Sequence, residues 1–171
     1  FIFLQGRENK DIFFTASLPV AKRDVVKARC VFIVVIELVQ ILVAIPCAVI
    51  GPRINPNPQG NVVGIEANVA FFGFVFIMYA LFNLLFLPVF YKTAYRAGFA
   101  LLISGVAISL YVLAIEIVIQ MVPVLKRALD TVEPARQLAQ LPILAAGIVI
   151  YLLSMLMAFR LSANRFAKVD L

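Results

Sequence analysis

Long apolar stretches separated by short polar punctuation dominate this chain. Four of them, at residues 31–50, 67–91, 95–122 and 143–159, reach or approach the roughly 20 residues with which a helix crosses about 30 Å of hydrocarbon. The segment from Gly51 to Gly60 between the first two is rich in Gly, Pro and Asn, which predicts an exposed, turn-rich loop. Tyr91-Lys-Thr-Ala-Tyr-Arg96 is a short basic turn, so the second and third spans are expected to be antiparallel neighbours. Ahead of the fourth span, Val124, Leu125, Ala128, Leu129 and Val132 recur at helical spacing while Lys126, Arg127, Asp130 and Glu133 fill the other positions. That pattern predicts a short amphipathic helix at the membrane interface within residues 123–141, with an ordinary solvated loop as the alternative. The fold class that follows is an all-α integral membrane protein, an antiparallel bundle of about four transmembrane helices. Its expected divisions are a cytoplasmic segment at 1–28, a transmembrane domain at 29–161 and a cytoplasmic tail at 162–171.

Composition narrows the picture further. The chain is 64% hydrophobic and 14% charged, too apolar for one small soluble core to hide. Phe1-Ile-Phe-Leu4 reads as the end of another apolar segment, so sequence upstream of it is expected. The net charge of +6 is carried by Lys and Arg in clusters between the apolar runs, a pattern of membrane topology rather than of nucleic-acid binding. There is no His, which removes Ser-His and Cys-His nucleophiles from the chain. Cys30 and Cys47 fall on one predicted helix roughly 25 Å apart, beyond the reach of a disulfide, and read as packing residues.

Counting cations in alternate loops gives the orientation. One side holds eleven: Arg7, Lys10, Lys22, Arg23, Lys27, Arg29, Lys92, Arg96, Arg160, Arg165 and Lys168. The other holds four: Arg53, Lys126, Arg127 and Arg136. The richer side is expected to face the cytoplasm, which puts both ends of this chain there, in a plasma membrane crossed an even number of times.

The stretch from Glu8 to Arg29 is too polar to span, yet Phe13, Phe14, Leu18 and Val20 need cover. Pro19 suits the first turn of a helix, and Lys22, Arg23, Asp24 and Lys27 interleave with Val25, Val26 and Ala28, so a short cytoplasmic helix is expected to lead into the first span. On composition alone, a helix lying on anionic headgroups is the other reading.

Glu8-Asn-Lys-Asp11, then Ser17-Leu-Pro-Val-Ala-Lys-Arg-Asp-Val-Val26, then a long apolar helix, resembles the cytoplasmic loop between the second and third spans of type-2 ABC-transporter permeases of the exporter type. The ending Phe166-Ala-Lys-Val-Asp-Leu171 resembles that of many such permeases from Gram-positive bacteria. Ala21 departs from the pattern, because relatives carry Ser or Thr there to cap the helix, a difference worth about 1 kcal/mol. The resemblance implies a six-span permease with an amphipathic or re-entrant extracellular element before the last span, of which this chain supplies the later part. It also implies that the loop around Glu8, Asn9, Lys10, Asp11, Phe13, Leu18, Pro19, Val20, Lys22 and Arg23 forms a coupling helix that docks on a separate ATPase. Two ATPase copies, binding ATP and Mg, would then drive two permease subunits, identical or different. No Gly-x-x-x-x-Gly-Lys run occurs in the chain, so nucleotide chemistry and its cofactors are expected in the partner and none here.

Polar residues inside the spans are the remaining candidates. Glu37 and Gln40 share a helix face with Ala44 and Ala48. A central acidic residue costs about 3 kcal/mol on insertion, which the surrounding Val, Ile, Leu and Phe at roughly −0.5 kcal/mol each outweigh. Gly105, Ser109, Glu116 and Gln120 line a second stripe, and Asn83 sits between Tyr79 and Phe86 on its face of the second span. The stripes either fix packing through interhelical hydrogen bonds or belong to a translocation path or permease interface; for Asn83 an interhelical bond is the expectation. Gly147, Tyr151, Ser154 and Ala158 form a small-residue stripe suited to close helix packing. An apolar or amphipathic cargo, such as a peptide or toxin, would suit the phenylalanines clustered from Phe71 to Phe90. A proton-coupled transporter using Glu37 and Glu116, and a non-transporting scaffold or immunity protein, are the rival functions. An intramembrane enzyme is disfavoured, since the few carboxylates do not pair on one helix.

Overall fold

The computed structural model describes residues 20–54, 65–93, 96–131 and 133–168. Six helices account for almost all of them: α1 Lys22–Ile54, α2 Val69–Lys92, α3 Ala97–Met121, α4 Pro123–Leu129, α5 Pro134–Ala139 and α6 Leu141–Ala167. No strand occurs among the described residues. The segments α1, α2, α3 and α6 are each long and apolar enough to cross a bilayer, and they overlie the four spans expected from the sequence. Leu42, Leu102, Leu110 and Leu153 are more than 60% exposed, a surface that only lipid or another apolar helix can cover.

Local chemistry sets several helix ends. Asn68 caps α2, its side-chain oxygen accepting from the Phe71 N–H at 3.0 Å. The Thr93 hydroxyl closes the other end by donating to the Val89 carbonyl at 2.8 Å. Proline opens α4, α5 and α6 in the first turn, where its missing N–H costs no helical bond.

The cytoplasmic helix runs into the first span as expected, the two forming one 33-residue helix. Val26 and Cys30 are buried on the same face as Glu37 and Ile41, so one packed stripe runs through both parts. Other boundaries differ from the sequence reading. The helix continues past Gly51 and Pro52 to Ile54, where a loop was expected; proline keeps a helical φ and forfeits one backbone bond. At the other terminus, α6 extends through Ala167 instead of giving way to a tail at 162, because Ser162 and Phe166 are still buried against the bundle. The interfacial element, expected as a single helix, is the pair α4 and α5, the first ending at Leu129 and the second beginning at Pro134.

The α2–α6 pair is the most extensively packed, with α3 lying on α2 and α1 resting on α6. Gly73 and Gly147 make the central contact. A Cβ on Gly147 would collide with the Gly73 carbonyl, and one on Gly73 would stand 2.9 Å from the Ile143 carbonyl oxygen. Only glycine at both positions lets the two backbones approach so closely. Towards the end where α2 stops, Phe86, Leu87, Phe90 and Tyr91 pack with Val26, Cys30, Ala97, Ala100, Met155, Ala158 and Phe166.

Candidate functional site

Among the described residues, the buried acid and the buried side-chain amides collect in two places. The first lies inside the bundle, where Glu37 of α1 is 7% exposed. Its carboxyl accepts two contacts from the Asn83 side-chain amide, at 2.9 and 3.1 Å, and one from the Tyr151 hydroxyl at 2.6 Å. Three helices thus meet at one acidic side chain. Asn83 is fully buried, and its Oδ1 has no partner among the described residues. One turn along α1, Gln40 accepts from the Tyr79 hydroxyl at 3.1 Å on the exposed rim of the same junction. Ala44 and Ala48 are half-buried on the shared face, as the spacing predicts, whereas Gln40 is exposed.

The interhelical bond expected of Asn83 is present. The sequence reading missed its partner Tyr151, which was assigned to the small-residue stripe. A count of donors would have found it: an acid in the middle of a span needs them, and Tyr151 carries the one phenol in the fourth span.

The second cluster sits where α2 begins. Asn68 donates to the carbonyls of Leu129 and Thr131, and the Glu66 N–H donates to Asp130 at 2.9 Å. Gln140, 1% exposed, accepts from the Ala70 N–H at 3.0 Å and donates to the Ala128 carbonyl at 2.9 Å. Two side-chain amides therefore staple the α4–α5 bend to the start of α2. Neither was singled out as a site from the sequence, although an amide directly ahead of an apolar run signals a helix end.

On α3 the row packed towards α2 is Ala97, Ala100, Ser104 and Ile119, with the Tyr111 hydroxyl donating to the Phe74 carbonyl at 3.0 Å. The stripe of Gly105, Ser109, Glu116 and Gln120 flanks that row. Ser109 is exposed, while Glu116 and Gln120 are half-buried. Glu116 reaches a cleft of about 80 Å³ lined by Phe71, Phe74, Met78 and Tyr111, and its Oε2 is buried with no partner among the described residues. The structure does not bring Glu116 to Glu37; each acid has its own surroundings.

At the opposite end of the bundle from the amide staple, cations converge. Lys22 lies over the Phe166 ring and Arg23 over the Phe159 ring, with centroid distances of 5.8 and 5.7 Å. Arg165 donates to the Pro88 carbonyl at 2.8 Å. Val20 is exposed. Glu8, Asn9, Lys10, Asp11, Phe13, Leu18 and Pro19 lie outside the described residues.

Part of the aromatic cluster is core packing. Phe86 and Phe90 are 4% and 1% exposed, with Phe82, Phe86 and Phe90 stacked in sequence at 5.1 and 5.8 Å. They fill the core beside α6 and α3. No group of three or more potential metal ligands occurs among the described residues.

With this arrangement of helices in view, comparison with protein families is decisive: the family described as "ABC-2 family transporter protein" matches residues 2–162. The chain belongs to that family. It is therefore a multi-pass membrane component of an ABC transporter system rather than an enzyme in its own right. Neither the curated proteins nor the solved structures compared with the chain give a match. For an ABC-2 protein the two polar clusters and the basic end are the places to look for mechanism.

Proposed function

We propose that this ABC-2 chain is the permease subunit of an ATP-driven exporter, paired with a second permease and two copies of a separate ATPase that binds ATP and Mg. The observation that carries the reading is the continuity of α1. One helix joins the basic end at Lys22 and Arg23 to the buried junction of Glu37, Asn83 and Tyr151. An α-helix resists stretching because every turn is closed by backbone bonds, so a push at its first turn is felt at Glu37, about 22 Å along the axis. Residues 8–23 would receive that push by docking on the ATPase. The basic end faces the cytoplasm in this reading, which agrees with the distribution of Lys and Arg.

Glu37, Gln40 and Asn83 then act where α1 moves against α2 and α6. Ser109, Glu116 and Gln120 belong to a translocation path or to the face met by the second permease. The exported cargo is apolar or amphipathic, in keeping with an apolar cavity of about 250 Å³ lined by Phe74, Tyr111, Val118 and Leu125 beside Glu116. A peptide or toxin fits that description.

The test is affinity purification of the tagged chain, with its full natural sequence, from detergent-solubilised membranes. A nucleotide-binding subunit is expected to copurify, and reversal of charge at Lys10 and Asp11 is expected to reduce its recovery several-fold. Recovery of the chain with no such subunit would overturn the reading. Lys10 and Asp11 are preferable to Lys22 and Arg23 for this purpose, since the latter pair also pack on rings of α6.

A further inference from the structure

A groove between α1 and α6 lies outside the buried junction, and of the coupling residues only Arg23 stands at its mouth. It encloses about 510 Å³, and its walls are Cys30 and Val34 on one side and Leu152, Met155 and Phe159 on the other, with Lys27 at one end. Its lining is almost wholly apolar and opens sideways to the surroundings of the bundle. From Lys27 to Val35 it runs about 12 Å along α1, close to the roughly 15 Å depth of one leaflet's hydrocarbon.

The charge at its mouth is one-sided. Lys27 is exposed and Arg23, one helical turn earlier, is exposed as well, so the two cations sit on one face of α1. Arg23 is held over Phe159, itself a wall of the groove. An apolar slot nearly one leaflet deep, with two adjacent cations at its headgroup end, is complementary in shape to an acyl chain and in charge to an anionic head.

We propose that this groove holds one acyl chain of an anionic phospholipid from the leaflet at the basic end, with Lys27 and Arg23 on its phosphate. A zwitterionic lipid fits the slot equally well but brings a cationic head towards two cations, so the site discriminates by headgroup. A bound lipid would fill the space between α1 and α6 just below the basic end, and would stiffen the first turns of α1 against α6. Anionic lipid content would thereby adjust how readily α1 moves.

Native mass spectrometry of the detergent-purified chain, titrated with phosphatidylglycerol or with phosphatidylcholine of the same acyl composition, tests this. One phosphatidylglycerol is expected to be retained about tenfold more strongly than phosphatidylcholine. Lys27→Gln, at an exposed position, should reduce that preference several-fold while thermal unfolding in the same detergent stays unchanged. Leu152→Trp, which fills the slot without altering charge, should weaken retention of both lipids. Equal retention of the two by the wild type, or a preference that survives Lys27→Gln, would overturn the proposal. So would a disulfide between copies carrying Leu156→Cys in native membranes, because a second chain would then occupy the groove.

Discussion

At the scale of single residues, the Glu37 junction separates chemistry from charge. Asn83 offers its amide hydrogens to the carboxyl and leaves its own Oδ1 without a partner among the described residues. Glu37→Gln is accommodated by turning the Asn83 amide over: as the amide stands, a glutamine NH2 would face the Asn83 NH2, whereas after the turn it donates to Oδ1 while its oxygen keeps the Tyr151 hydroxyl. The expected change in stability is below about 1 kcal/mol, in the range of interhelical hydrogen bonds in membranes. Asn83→Leu removes the amide and leaves a buried carboxyl with the tyrosine alone, so a loss of about 1–2 kcal/mol is expected. Denaturant titration in mixed micelles, followed by helical circular dichroism, checks both, and a larger loss for Glu37→Gln than for Asn83→Leu would contradict this account. The acid and the asparagine could be picked from the sequence because a polar residue in an apolar run is conspicuous. Tyr151 could not be picked so easily, since a tyrosine is half apolar and sits comfortably in any packing stripe.

At the scale of elements, two glycines in similar sequence surroundings carry opposite expectations. Gly147 has the Gly73 backbone against it, whereas Gly105 has open space where a Cβ would go. Gly147→Ala must therefore push α6 away from α2, and a loss of at least about 1–3 kcal/mol is expected from overpacking. Gly105→Ala meets nothing and gains roughly 0.5–1 kcal/mol through reduced freedom of the unfolded chain and better helix propensity. Thermal unfolding of the two variants in one detergent should move in opposite directions; movement in the same direction would mean that the α2–α6 contact is not as close as described. The existence of the four long helices was readable because runs of apolar residues that long have one stable use. Their ends were less readable. The start of α1 near Lys22 was readable from Pro19 and the interleaved charges, but the continuation of α6 to Ala167 depends on Ser162 and Phe166 finding partners on other helices, which hydropathy along the sequence does not record.

At the scale of the whole molecule, the bundle is polarised. Its basic end carries Lys22, Arg23, Lys92, Arg165 and Lys168, while the other end is closed by the amides of Asn68 and Gln140 over the α4–α5 bend. Gln140 joins α5 and α6 to the first turn of α2 and to α4, so Gln140→Leu should free the α4–α5 pair while leaving the α2–α6 glycine contact in place. Hydrogen exchange at residues 123–139 is expected to accelerate at least tenfold in that variant, with amides of α6 beyond Gly147 unaffected. Uniform acceleration through the bundle would show that the staple supports the whole fold and is not a local clasp. The direction of the molecule in the membrane is open to an independent check, because an exposed residue marks each end: Glu133 near the bend and Lys168 after α6. With Cys30 and Cys47 first replaced by Ser, Glu133→Cys should react with a membrane-impermeant maleimide in intact cells, and Lys168→Cys only after permeabilisation. The reverse pattern would place the cation-rich end outside, and with it would fall the proposal that α1 is pushed from the cytoplasm, since cellular ATP, on which the proposed ATPase would draw, is on that side.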